Sequence, residues 1–104
     1  MNLYEQLAKE FGLKKKQVEG AIHLIDEGNT IPFIARYRKE ATGEMSDEVL
    51  RDFYDRLKYL RNLEDRKQQV KASIEEQNRL TPEIISALQE AKTLVEVEDI
   101  YEPY

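Results

Sequence analysis

The chain has 104 residues, enough for one small domain, with 40% apolar residues, 36% charged residues and a net charge of −5. Cys and Trp are absent, which excludes a disulfide framework, a Cys-based zinc site and a thiol nucleophile, and fits a reducing compartment. The acidic surplus argues against a free-standing nucleic-acid binder, because phosphate neutralisation normally demands a basic one.

The N-terminus, MNLYEQLAKEF, carries acids among its first ten residues and no apolar core, so it is not read as a signal peptide. No run approaches the roughly 18 apolar residues of a spanning helix. A soluble, cytoplasmic protein without membrane association is expected.

In chain order, Leu3, Leu7, Ala8 and Phe11 recur at helical spacing, and Gly12 offers a C-cap. A second helix is expected from about Lys14 to Glu27, with Val18, Ala21, Ile22 and Ile25 on one face and Gly28-Asn29 as its stop. Thr30-Ile31-Pro32 opens a short third helix, and Ala41-Thr42-Gly43 reads as a loop. Ser46, followed by Asp47 and Glu48, starts a long helix that meets no Gly or Pro before Gln77. At 1.5 Å per residue it would run to roughly 45 Å. Its apolar stripe of Phe53, Leu57, Leu60, Leu63, Val70 and Ile74 is interrupted near Arg66-Lys67, where a kink is conceivable. Thr81-Pro82 and Thr93 then open two shorter helices.

The predicted fold is all-α. Helix-turn-helix-like N-terminal helices (1–45) pack on one long central helix (46–78), and two shorter helices (81–104) follow within a single domain. The chain stops directly after a helix, which reads as truncation from a longer multidomain protein.

Candidate chemistry is sparse. The one histidine, His23, sits mid-helix beside apolar positions, where a surface or half-buried role is the ordinary one. The acids lie on helix faces where i,i+4 pairing accounts for them. There is no phosphate loop, zinc signature or nucleophile elbow, so no catalytic residue, cofactor, metal or small-molecule substrate is expected.

Two basic clusters remain. Leu7-Ala8, Gly12-Leu13 and Val18 follow helix-turn-helix spacing, which would make the second helix the recognition element and place Lys14, Lys15, Lys16 and Gln17 at its N-terminal end. The alternative is an ordinary αα-hairpin with a solvated, lysine-rich first turn, and a helix-turn-helix shape is favoured over DNA contact by it. The second cluster is Arg36, Arg38 and Lys39, set against Glu40 alone, whereas Lys92 faces Glu96, Glu98, Asp99 and Glu102 in the acidic tail. Three cations beside an aromatic could hold phosphates. In so acidic a chain the favoured reading is a structural latch, with Ile31, Phe33, Ile34 and Tyr37 pinning the short helix to the long one and the cations paired to nearby acids.

The same stretch carries a resemblance. GNTIPFIARYRKEATGEMSDEVLRDFYDRLKYLRNLEDRKQQV, then SIEEQNRLTPEI and VEDIYEPY, closely resemble the N-terminal region of the Tex family of bacterial transcription accessory proteins, with IPFIARYRKEATG as the most specific signature. The resemblance covers the chain from Asp26 to Tyr104. It implies a longer parent with a catalytically degenerate RNase-H-like domain, helix-hairpin-helix motifs and a C-terminal RNA-binding OB barrel, and kinship with a eukaryotic transcription elongation factor. It also implies that the N-terminal helices serve as scaffold. The partners expected on that basis are the parent's other domains, RNA or DNA reached through them, and the transcription machinery. One departure is the tail: the family commonly reads LEDLYLPY followed by a basic run, whereas here Glu102 stands in VEDIYEPY and the basic continuation is missing, leaving the acidic tail without that compensation.

Overall fold

The computed structural model describes residues 2–104, and among them every regular element is helical. Seven helices follow one another: α1 (Leu3–Phe11), α2 (Lys15–Asp26), α3 (Ile31–Tyr37), α4 (Lys39–Thr42), α5 (Asp47–Glu76), α6 (Pro82–Glu90) and α7 (Leu94–Tyr101). None is long and apolar enough to cross a membrane. Two compact units divide within α5, one ending at Lys58 and the other running Tyr59–Tyr104.

In the first unit, α1 is capped at its start by Asn2, whose side chain accepts from the Glu5 amide at 2.8 Å. It ends where Gly12 turns left-handed (φ 64°, ψ 37°) and the Leu13 amide reaches back to the Ala8 carbonyl at 2.9 Å. Any residue with a Cβ would strain that turn, which brings α2 back against α1. The apolar faces then close a core of Leu7, Val18, Ala21, Ile22, Ile34, Leu50, Phe53 and Leu57, all nearly or wholly inaccessible to solvent. Phe11 packs edge-on to Phe53 at 5.5 Å between ring centroids.

Ala41 and Thr42, expected in a loop with Gly43, instead belong to the helical turn α4. Lys, Glu and Ala are good helix formers. The turn is closed by left-handed Gly43 and by the Glu44 amide donating to the Lys39 carbonyl at 2.8 Å. A close helix contact also lies here: a Cβ at Gly20 of α2 would overlap the Ala41 carbonyl oxygen, so α4 rests directly on α2 backbone.

Helix α5 starts as expected, with the Ser46 hydroxyl accepting from the Val49 amide, and stops before left-handed Asn78 (φ 57°). It is continuous through Arg66-Lys67. In the second unit Leu60, Leu63, Val70 and Ile74 of α5 bury with Leu88, Ala91 and Val97. Where the apolar stripe lapses, polar contacts take over. Arg66 grips Glu98 at 2.7 and 2.8 Å and lies over the Tyr101 ring, and Lys67 donates to the Gln89 carbonyl at 3.2 Å. Glu98 of the acidic tail thus finds its counter-charge within the chain.

Candidate nucleic-acid interface

The first basic cluster sits at the start of α2. The Lys14 amide is satisfied by the Gln17 side-chain oxygen at 2.8 Å, which leaves the Gln17 amide nitrogen to donate to the Thr42 carbonyl at 3.2 Å. Both ends of the Gln17 side chain are therefore engaged inside the fold, and a Cβ at Gly43 would strike that side chain. Lys14, Lys15 and Lys16 are exposed. Lys15 approaches Glu19 at 3.9 Å, an exposed i,i+4 pair of small energetic weight.

The second cluster lies on α3 and at the α3–α4 junction. Neither Arg36, Arg38 nor Lys39 is in ion-pair contact with a carboxylate among the described residues, which corrects the expectation that these cations pair with nearby acids. They are tied to aromatic rings instead. The Arg36 guanidinium lies 5.4 Å from the Tyr37 centroid and that of Arg38 lies 5.2 Å from Phe33, with the two rings 5.3 Å apart. Arg38 also donates to the Tyr37 carbonyl at 2.9 Å.

Of the residues expected to latch α3 to the long helix, only the two isoleucines turn inward, and α3 packs on α2 and α4. Ile34 is fully buried and Ile31 partly so, but Phe33 and Tyr37 are 36% and 53% exposed. Helical geometry explains the split. Ile31 and Ile34 share one face, whereas Phe33 and Tyr37, four residues apart, share another about 100° away. That i,i+4 aromatic pair interleaved with Arg36 and Arg38 is the signal by which the stack was readable in the sequence.

The two clusters do not merge. Gln17 meets Thr42 while Gly20 meets Ala41, so α4 runs back along α2 in the opposite sense. Lys14–Lys16 therefore stand by the C-terminal end of α4, and Arg38-Lys39 at its other end. Beside Lys16 an open groove is lined by Glu19, Asp26 and Glu40, with His23 and Tyr4. No grouping of His, Cys, Asp or Glu that could hold a metal occurs among the described residues.

Fold and surface together define an all-helical module in which Arg36 and Arg38 lie over aromatic rings while Arg51, Arg56 and Arg66 meet carboxylates. The profile of the Tex-like protein N-terminal domain matches residues 1–75, and the chain belongs to that family. It is 46% identical over 104 residues to the transcriptional accessory protein Tex of Neisseria gonorrhoeae, covering all of this chain and 14% of that protein. Protein tex of Bordetella pertussis is 50% identical over 99 residues, 95% of this chain and 12% of that one. A more distant relative, the human S1 RNA-binding domain-containing protein 1, is 31% identical over 83 residues, 80% of this chain and 8% of its own length. The chain thus spans about one-seventh or less of these curated relatives.

Proposed function

We propose that this chain is a non-enzymatic, cytoplasmic scaffold and interaction module of a transcription accessory protein, whose parent holds nucleic acid, chiefly RNA, through other domains. The observation that carries this reading is the groove beside Lys16, where α2 meets α4, which is lined by the carboxylates of Glu19, Asp26 and Glu40. A polyanion laid there would meet those carboxylates, and affinity for nucleic acid rests on many phosphates neutralised together. Two further features support it. Gln17, which a recognition helix would direct at bases, is spent on the fold, and the relatives whose names specify RNA binding, from Pongo abelii and Homo sapiens, name an S1 domain for it.

The test is a titration of labelled single-stranded RNA and duplex DNA with the chain at about 150 mM salt, where exposed charges are screened beyond roughly 8 Å. Neither should saturate at micromolar protein. Micromolar, salt-sensitive binding that charge reversal of Lys14, Lys15 and Lys16, or of Arg36, Arg38 and Lys39, abolishes would establish instead a nucleic-acid-binding module in its own right.

A further inference from the structure

We propose that Arg36 and Arg38, held on the exposed Phe33–Tyr37 pair, form a docking surface for an acidic protein segment, gripped by guanidinium–carboxylate contacts. This rests on the scaffold reading and names the chemistry of the partner it would engage.

Three of the other arginines, Arg51, Arg56 and Arg66, take carboxylates, while Arg79 lies over the Tyr104 ring. Arg51 meets Asp47 at 2.9 Å, Arg56 meets Glu10 at 2.7 Å and Arg66 meets Glu98 at 2.7 Å. Arg36, Arg38 and the adjacent Lys39 have no such partner among the described residues, although the chain as a whole is acidic. An anionic partner from outside would complete them as Glu10 completes Arg56.

The rings make the site more than a charge patch. A guanidinium resting on an aromatic face loses less freedom on binding and keeps its N–H edge free for a bidentate grip. In Arg38 one guanidinium N–H, from Nη1, donates to the Tyr37 carbonyl, which narrows its range further and leaves the other N–H groups for the grip. Exposed Tyr and Phe beside Arg are also the side chains enriched at the anchor points of protein interfaces.

Single-stranded nucleic acid fits less well. Base stacking uses open aromatic faces, and here one face of Tyr37 is taken by Arg36 and one face of Phe33 by Arg38. A short acidic segment needs only the few cations already gathered.

The experiment is fluorescence anisotropy with the 104-residue chain, a labelled peptide of Glu-Leu-Glu-Glu repeats and, in parallel, labelled oligothymidine. Arg36→Glu with Arg38→Glu should weaken peptide binding at least about tenfold, equivalent to 1.4 kcal/mol. Arg36→Lys with Arg38→Lys keeps the charge but loses the fork, and should weaken it about threefold or more. Lys15→Glu with Lys16→Glu should change it less than about twofold. Circular dichroism checks the helical content of each variant, and if the charge reversal unfolds the chain, the lysine pair and Lys39→Glu decide. No measurable peptide binding, an unchanged affinity in the reversed variant, or full affinity in the lysine variant overturns the proposal. So does tighter oligothymidine binding that depends on Arg36 and Arg38. Oligothymidine binding that depends on Lys14–Lys16, with peptide binding intact, would instead sink the scaffold reading and leave this surface standing.

Discussion

At Gly20 the missing side chain lets α2 touch the backbone of α4, and the consequence can be measured. Gly20→Ala improves intrinsic helix propensity by about 1 kcal/mol. It also drives a methyl group into the Ala41 carbonyl oxygen, a backbone atom with little room to yield. Overpacking of this kind costs about 1–3 kcal/mol. We expect net destabilisation in urea unfolding, contrary to the propensity rule. A variant as stable as the parent, or more so, would show that the α2–α4 contact relaxes freely. The sequence carries no local sign of the partner of Gly20, because residues 41–43 read as a loop. Caps fared better. Asn78 as the stop of α5, and Thr30, Thr81 and Thr93 as N-caps, take their roles from chemistry three residues away, which a sequence displays directly. Whether Arg36 and Arg38 would find carboxylates depends on which surfaces meet in space, and no local pattern carries that.

Among the elements, the second half of α5 and the last helix form the most informative pair. Tyr59, Arg66 and Ser73 recur every seven residues on α5, and they meet Leu94, Glu98 and Tyr101 of α7 in the same order. The two helices therefore run in the same sense where they touch, with the connection made through α6. The sequence displayed this as a lapse in an apolar stripe, because hydrophobicity alone cannot distinguish a break from a row of polar contacts. Tyr59 has a specific task here: its hydroxyl accepts the Leu94 amide at 3.0 Å, one of the first-turn donors of α7 that no helical carbonyl can reach. Tyr59→Phe preserves the ring and removes the hydroxyl that caps α7, so losing this bond should cost about 1 kcal/mol. The local readout is hydrogen exchange at the Leu94 amide, which should quicken in the variant. Unchanged exchange and unchanged melting would mean that solvent already serves that donor.

For the chain as a whole, the response to acid follows from two guanidinium–carboxylate pairs, one in each compact unit. The Glu10 carboxyl is held below its ordinary value chiefly by the hydrogen bond from Arg56, against a smaller opposing effect of burial. Glu98 is lowered in the same way by Arg66. A carboxyl with a depressed pKa in the folded state binds fewer protons there than in the unfolded chain. Its stabilising contribution is therefore complete above the unfolded value near 4.3 and fades as pH falls through the lower folded value. A general effect acts alongside it. The chain carries 21 acids against 16 Lys and Arg, and protonating the acids turns a net charge of −5 strongly positive, with self-repulsion that salt screens. Substitution separates the two. Glu10→Gln should lower the melting temperature at pH 7, and the gap to the parent should narrow steadily below about pH 4.5 as the parent's own carboxylate protonates. Glu98→Gln should behave alike for the second unit, followed through its Tyr101 ring. Self-repulsion is common to parent and variant, so it cancels in the difference. A gap that stayed constant from pH 7 to pH 3 would mean that neither pair contributes through its charge, and the acid sensitivity would then belong to net charge alone.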